Sequence, residues 1–376
     1  MRLERAAAWT VVGLQVLAAA WLVPGLLRRR AVHLAVIDPG RVAGVTAVVP
    51  VLNEEARLGA CLESLTRFGN DIDSILVVDG GSADRTRDIT RRHQAQDARI
   101  SLVSAAPVPP HWNGKAWGLQ VGLESAAADH EWILMLDADV RLTAPIAPDL
   151  VACAASNGLD ALSVATRQVV RGWAAQALHG AMLATLVYRY GVPGRVFSRA
   201  GESYLNGQCT LVRAIVLRVS DAIRESRASR CEDVTMARAL VGNGVRVAVV
   251  ESAAAPIVEM YTSAVEVWRG WPRSLHMRDH LSGTEARARN TAALLLALPM
   301  LMAMFALVRR WPGGVLLAQV ALIMIRLGAL VGLARAYERP GPGYWCSPIL
   351  DVPVSLAIWA SDLRRRHIWR GRALVA

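Results

Sequence analysis

Hydrophobic residues in this chain are gathered into blocks, and the blocks restrict what it can become. Ala8 to Leu27 is a twenty-residue apolar stretch broken only by Thr10, Gln15, two glycines and Pro24, and Arg28, Arg29 and Arg30 follow it. About twenty apolar residues in a helix cross the hydrocarbon core of a bilayer. A cleavable leader would carry a small-residue cleavage site after its apolar core. Here the core runs straight into three arginines, so the stretch reads as a retained anchor with residue 28 onward on the cytosolic side. Three further blocks close the chain: Thr291 to Val308, Gly313 to Ala334 with Arg326 inside it, and Trp345 to Ala360 with Pro348, Asp351 and Pro353 inside it. A cytosolic middle and a cytosolic basic tail require an even number of crossings between them, and the third block is the poorest span. Arg326 and Asp351 are read as a structural pair, with contact to a lipid headgroup or acceptor phosphate as the alternative for Arg326.

The composition agrees with this division. Of 376 residues 53% are hydrophobic and 19% charged, against about 45–50% and about 25% in soluble domains, which excludes a disordered chain and an ordinary soluble enzyme. The net charge of +11 raises a nucleic-acid reading, with the run Arg85, Arg87, Arg91 and Arg92 behind it. Basic residues beside apolar blocks suit anionic lipid headgroups instead, so no nucleic-acid partner is expected. The five cysteines show neither metal-ligand nor disulfide spacing and read as reduced thiols.

Between about Gly44 and Met260 short β-branched runs alternate with helical periodicity, the signature of a mostly parallel α/β sheet. Strands are predicted at Val45–Val49, Ile75–Val78, Ile100–Val103 and Trp132–Leu136, and helices over Glu54–Arg67, Arg85–His93 and Ala116–Ala128. Ligands of such sheets bind beyond the carboxyl ends of the strands. The residues there are acidic: Pro50 to Glu54 after the first strand, Asp79 to Thr86 after the second, and Asp137-Ala138-Asp139 after the fourth. No glycine-rich dinucleotide or P-loop pattern follows a strand. Two carboxylates at i and i+2 behind a buried strand suit Mg²⁺ or Mn²⁺, which takes one or two carboxylates plus substrate phosphate oxygens. Lys115 is the only lysine among 42 basic residues, and its compact ammonium suits phosphate or ribose oxygens.

In this order the motifs Val49-Pro50-Val51-Leu52-Asn53-Glu54, Val78 to Thr86, Leu136 to Asp139 and Cys231-Glu232-Asp233-Val234 resemble family 2 glycosyltransferases of the GT-A fold. Pro110 to Trp117, Leu205 to Gln208 and Trp369 to Arg372 resemble, more narrowly, the membrane-anchored group associated with hopanoid and carotenoid glycosylation. Gly80 stands where that family more usually has a second aspartate. The motif of processive synthases is absent, Trp268 to Arg273 lying where it would be sought, so single-sugar transfer is expected.

The resemblance implies a GT-A domain, with a Rossmann-like mostly parallel sheet, between N- and C-terminal transmembrane helices. The implied organisation is an anchor over 1–30, a catalytic domain over 43–260, an interfacial amphipathic segment over 261–290, membrane segments over 291–362 and a basic cytosolic tail over 363–376. The implied chemistry is metal-dependent and inverting, moving one sugar from a nucleoside-diphosphate sugar to a polyisoprenoid, carotenoid-like or hopanoid-like lipid at the cell membrane. Asp137 and Asp139 are the expected metal ligands. Asp233 is the expected base, with Glu232 as fallback, although both also suit the first turn of a helix. Pro50, Asn53, Glu54, Asp79, Gly81, Ser82, Asp84, Trp112, Lys115, Asp137, Gln208 and Trp271 are the expected substrate contacts. Trp112 and Trp117 either flank the donor or pack their loop. Other readings are an envelope polysaccharide or glycolipid transferase, a nucleotidyltransferase, which lacks its glycine-rich loop here, and a basic membrane-associated binding protein.

Overall fold

The computed structural model describes residues 2–27, 32, 34, 44–229, 231–274, 283–363, 366–369 and 372–375. Arg28 to Arg30, residues 275–282 of the amphipathic segment, and Arg364, Arg365 and Arg370 of the tail lie outside the described residues. The chain divides into two compact units. One holds Arg29–Gln168, Pro193–Met260 and Arg366–Ala376, the other Met1–Arg28, Val169–Val192 and Tyr261–Arg365.

The first unit is built on β1 (Val45–Val51), β2 (Ser74–Asp79), β3 (Ile100–Ser104), β4 (Trp132–Leu136), β5 (Val140–Arg141), β6 (Ala161–Val164), β7 (Arg167–Gln168), β8 (Arg195–Phe197), β9 (Cys209–Arg213), β10 (Val247–Val250) and β11 (Ile257–Val258). Eight of them form one sheet in the order β3-β2-β1-β4-β9-β6-β10-β8, and β5, β11 and β7 form a small second sheet. In the large sheet β3, β2, β1 and β4 run parallel, as do β6 and β10, while β9 and β8 pair antiparallel with their neighbours.

Alternation along each strand explains why these runs are almost wholly apolar. Trp132, Leu134 and Leu136 of β4 join a core with Leu58, Leu62 and Leu65 on one face, while Ile133 and Met135 join Leu119, Leu123, Met236 and Leu240 on the other. A sheet covered by helices on both faces leaves no polar row. The four predicted strands and three predicted helices are present with shifted ends, the helices running Leu58–Phe68, Thr86–Gln94 and Gly114–Ser125. The largest shift is at Glu54 to Arg57, where backbone amides bond to side chains of the Asp84–Thr86 loop instead of entering a helix.

The second unit is helical. Its segments Arg2–Leu22, Trp173–Tyr190, Gly283–Ala297 and Gly313–Leu333 share an apolar cluster around Leu22, Tyr188, Leu296 and Leu322. Gln15 and Gln319, both fully buried, join helices through a 2.8 Å amide bond, and Gln15 also donates to the Leu295 carbonyl. Residues 3–27 and 313–336 form helices long and apolar enough to cross a membrane. The Thr291–Val308 block belongs to a pair, Gly283–Ala297 and Pro299–Val308, bent by 46°, since Pro299 has no amide to continue the helix. The third block is a shorter apolar helix over Ser347–Ser361. Trp173–Tyr190 falls within the 43–260 span in sequence but groups with the helical unit in space.

Candidate active site

The carboxyl edge of β1, β2 and β4 receives the acidic motifs. After β1 the chain turns through Asn53, held at φ 55°. The Asn53 amide donates to Ser82 Oγ at 2.9 Å and its side-chain oxygen accepts from the Ala83 amide at 2.9 Å. Glu54 donates its amide to Thr86 Oγ1, and Glu55 donates to Asp84. The two loops are thus laced together by their own side chains. Gly81, at φ 99°, supplies the one backbone turn there that a side chain would strain.

Asp79 ends β2 buried. It accepts the Ser82 amide at 2.9 Å and Arg87 Nε at 2.5 Å. Burial acts to raise its pKa, but the bonds from Ser82 and Arg87 outweigh that and hold it below the usual carboxylate range. Asp84 is likewise held low by Thr86 and the Glu55 amide, against the opposing effect of burial.

Lys115 is the centre of the site. It sits in the first turn of Gly114–Ser125, which Asn113 caps by accepting the Lys115 amide at 2.9 Å. That helix lies close on β1 because of two glycines four residues apart. A Cβ on Gly118 would come within 2.9 Å of Pro50 Cβ, and one on Gly122 would strike Val48. The close approach delivers Lys115 Nζ to Asp137 Oδ1 at 2.6 Å and to Glu232 Oε1 at 2.7 Å. Asp233 lies beside Glu232 and accepts the Gly207 amide at 2.9 Å. The Lys115 ammonium and the Asp233 carboxylate would both lie 3.1 Å from a Cβ on Gly207, so any larger residue there would press both groups out of place by a few tenths of an ångström.

Lys115 therefore faces several acids, while Arg57, paired with Glu54, acts on Asp139. Burial, then the neighbouring Asp139, pushes Asp137 up to about 6 against the pull of Lys115. Burial, then Glu232, pushes Asp233 up to about 6, and burial, then Glu54, raises Asp139. Burial opposes the charge on Lys115, yet Asp137, Glu232 and Asp233 hold its pKa well above the ordinary value. Asp139 Oδ1 is buried with no hydrogen-bond partner among the described residues. Among the described residues no three acidic, histidine or cysteine side chains form a ready metal cage. The donor set of Asp137 and the unpartnered Oδ1 of Asp139 fits a hard divalent cation that completes its shell with substrate phosphates.

The structure brings together Pro50, Asn53, Glu54, Asp79, Gly81, Ser82, Asp84, Lys115, Asp137, Asp139, Gln208, Glu232 and Asp233 in the sheet unit. Gln208 is buried, its side-chain oxygen accepting from Thr166 and Gln168 and its carbonyl from the Asp137 amide. Trp112 packs edge-on against Trp117 at 5.1 Å, whose indole donates to the Ala105 carbonyl. Trp271 belongs to the helical unit, where its ring lies 4.6 Å from that of His179, apart from this cluster in the division of the chain. Arg87 and Gly207 were missed as participants. Arg87 was legible only as part of a basic run, and Gly207 only with Asn206 and Gln208, as lining the acceptor side or as a turn.

Residues 46–218 match the family described as Glycosyl transferase family 2, and that segment is a family 2 glycosyltransferase domain with a GT-A-like α/β fold. The lipopolysaccharide core biosynthesis glycosyltransferase LpsC of Rhizobium meliloti (strain 1021) is 32% identical over 132 residues, 34% of this chain. The match spans 44% of that relative's length, less than half of it. Among solved structures, the mannosyltransferase PcManGT from Pyrobaculum calidifontis, in complex with GDP-Man and Mn²⁺, is similar with a TM-score of 0.50 and 17% identity, covering 96% of this chain and 98% of that one. S. aureus TarS 1-349 in complex with UDP has a TM-score of 0.42 and 17% identity, covering 88% and 96%. At this identity the likeness to PcManGT is one of fold.

Proposed function

We propose that this protein transfers one sugar from a nucleoside-diphosphate sugar to a lipid acceptor at a membrane, with the sheet unit on the cytosolic side. The observation that carries the reading is the gathering of Asp137, Glu232 and Asp233 around the single Lys115, next to the unpartnered Oδ1 of Asp139. In the reaction the acceptor oxygen forms a bond to the anomeric carbon as the bond from that carbon to the diphosphate breaks, with inversion.

Asp233 takes the proton of the acceptor hydroxyl, its two oxygens oriented by the Gly207 and Val234 amides. Asp137 and Asp139 would hold Mg²⁺ or Mn²⁺, which when bound stabilises the negative charge gathering on the departing diphosphate. Lys115 adds a second positive charge beside Asp137, and Glu232 keeps its ammonium in place. The Asp79–Arg87 pair and the laced loops holding Pro50, Asn53, Glu54, Gly81, Ser82 and Asp84 form the nucleoside side. Trp112 and Gln208 border the sugar, and Trp271 belongs to the helical unit.

The lipid acceptor rests on the two helices able to span a membrane and on the sequence's resemblance to the membrane-anchored group associated with hopanoid and carotenoid glycosylation. A second reading, an acceptor saccharide carried on an envelope glycolipid, is favoured by the likeness to a lipopolysaccharide core enzyme. Membranes containing the protein, offered a panel of radiolabelled nucleotide sugars and then extracted, separate the two. Label in the apolar lipid fraction supports the first reading. Label in polar glycolipid supports the second, and absence of label from every donor refutes both.

A further inference from the structure

The contacts within the helical unit fix the direction of each helix. Arg2–Leu22 and Gly313–Leu333 lie parallel: a Cβ on Gly314 would come within 2.9 Å of the Trp9 ring, Gln15 bonds to Gln319, and Leu22 clusters with Leu322. Gly283–Ala297 runs the opposite way, with Arg289 over the Trp21 ring and the Leu295 carbonyl on Gln15. Pro299–Val308 continues it to the end that holds Glu4, where Arg309 pairs with Glu4 at 2.9 Å and Ala306 packs with Ala8, Val12 and Val315. From that far end Gly313–Leu333 returns to the near end at Ala336.

After Ala336 the chain turns back into the bundle. Tyr344 Oη donates to the Leu330 carbonyl, Ser347 Oγ accepts from Arg326 Nη2 at 3.3 Å, and Asp351 accepts from Arg326 Nε at 2.7 Å and Nη2 at 3.0 Å. These contacts step towards the far end. Arg326 lies about ten residues before Ala336, or about 15 Å along the helix, which is half of a hydrocarbon core about 30 Å thick. The backbone making this descent is broken into the short turns Pro342–Trp345 and Ser347–Leu350. Irregular backbone at such depth is tolerated only where protein covers it. Trp173–Tyr190 supplies the cover: Tyr344 and Ser347 are fully buried, a Cβ on Gly343 would strike the Trp173 carbonyl, and one on Gly180 would come within 2.9 Å of Ser347.

From Asp351 the last helix, Asp351–Leu363, is 13 residues long, about 20 Å, enough either to reach the far end or to return. Its packing decides the direction. It lies against Gly283–Ala297 and Ala264–Ser274. Leu296 and Ala297 line the same small cavity as Asp351, so the rest of Gly283–Ala297 leads from that depth to the near end. Ala264–Ser274 belongs to the near end too, since the Trp271 ring lies 4.6 Å from that of His179, whose Nδ1 bonds to Tyr337 Oη directly after Ala336. The last helix therefore returns. Arg366–Ala376, which follows it, groups with the sheet unit.

We propose that residues 337–363 form a re-entrant hairpin that enters and leaves the bilayer at the near end and reaches half its depth. Its exposed Trp345, Ile349, Leu356 and Trp359 lie among the lipid chains of that one leaflet, and the tail emerges on the side of the sheet unit. The inference rests on the membrane reading above but not on sugar transfer.

In the full-length protein Cys346→Ser leaves only buried native thiols. Single cysteines are then introduced by Arg92→Cys in the sheet unit, Arg310→Cys at the far end, Ile349→Cys in the hairpin and Leu374→Cys in the tail. Intact cells are treated with an impermeant maleimide before and after a permeabilisation that leaves bilayers in place. Position 310 should label in intact cells, positions 92 and 374 only after permeabilisation, and position 349 in neither state. Label at 374 from the same side as 310 overturns the hairpin and makes the last helix a full crossing. Label at 349 after permeabilisation places it in water and overturns the insertion. Label at 92 and 374 together in intact cells, with 310 shielded, overturns the cytosolic placement and leaves the hairpin standing. An equal response at 92, 310 and 374 overturns the membrane reading and the hairpin with it. The expected pattern without any sugar transfer removes the proposed activity alone.

Discussion

Two buried ionic clusters lie in the two units, and they differ in balance. In the helical unit Arg326 meets one carboxylate, Asp351, in a two-point pair. In the sheet unit Lys115 touches Asp137 and Glu232 while Asp233 and Asp139 remain nearby with raised pKa values. A balanced pair needs nothing further to fold, and apolar residues of similar volume replace such pairs with little loss. An acid-rich cluster is a standing cost to folding, relieved only when positive charge arrives. The difference suits the sheet cluster to taking up a cation, whereas the helical pair is matched within itself apart from the two N–H groups of Arg326 Nη1.

The largest effects should come from breaking each cluster by one residue. Asp351→Leu and Lys115→Met should each lose about 3–5 kcal/mol of stability, because each leaves buried charge without its partner. Thermal or denaturant unfolding of the detergent-purified protein reads this directly. The contrast sharpens with the double change Arg326→Met and Asp351→Leu, which should return to within about 1 kcal/mol of the parent. Stability lost equally in the single and double variants would show that the pair is not self-contained.

Next in size is Asp139→Asn, which should lower sugar transfer at least about a hundredfold, equivalent to about 3 kcal/mol of transition-state stabilisation. The same change removes a charge from the acid-rich cluster, so the unfolding temperature should rise while activity falls. A variant less stable than the parent would make Asp139 a structural residue.

The pH dependence follows from Asp233, raised to about 6 by burial and then by Glu232. As a base it works when ionised, so kcat/KM should fall about tenfold per unit below about pH 6. The sign for stability is opposite. A carboxyl whose folded pKa lies above its unfolded value of about 3.9 binds its proton first in the folded state, so its cost to folding is relieved as pH falls from about 6 towards 4. A rate profile flat to about pH 5 would remove Asp233 from the role. The smallest effect is at the cap that places Lys115: Asn113→Ala should cost about 1 kcal/mol for the cap and about 1 kcal/mol more for its buried bond to the Ser229 carbonyl, measured by unfolding, with a smaller loss of rate than any change to Lys115 itself.

Much of the sheet unit was legible because burial on both faces writes strands as apolar runs, and the acids stand directly behind them. Asp137 and Asp139 behind Trp132–Leu136 needed no more than that. Lys115 stood out by composition alone. What could not be read were contacts joining residues far apart in sequence. Arg87 serves Asp79 eight positions earlier, and Gly207 meets Asp233 across a separate loop. Glu54 to Arg57 looked helical because its polar pattern is compatible with a first turn, and the side chains that hold it otherwise, Asp84 and Thr86, come from another loop. The Thr291–Val308 block read as one span because periodicity does not register a bend, although Pro299 marks its position.

The most direct test of the account is whether the sheet cluster takes a divalent ion together with a nucleoside diphosphate. Free Mn²⁺ gives a sharp paramagnetic resonance signal that binding removes. Titrating the full-length protein with Mn²⁺ should bleach that signal in the presence of UDP or GDP, and Asp139→Asn should leave most of it. Equal bleaching by the parent and the variant, or none by the parent with either nucleotide, would contradict the assignment of this cluster as the metal and donor site.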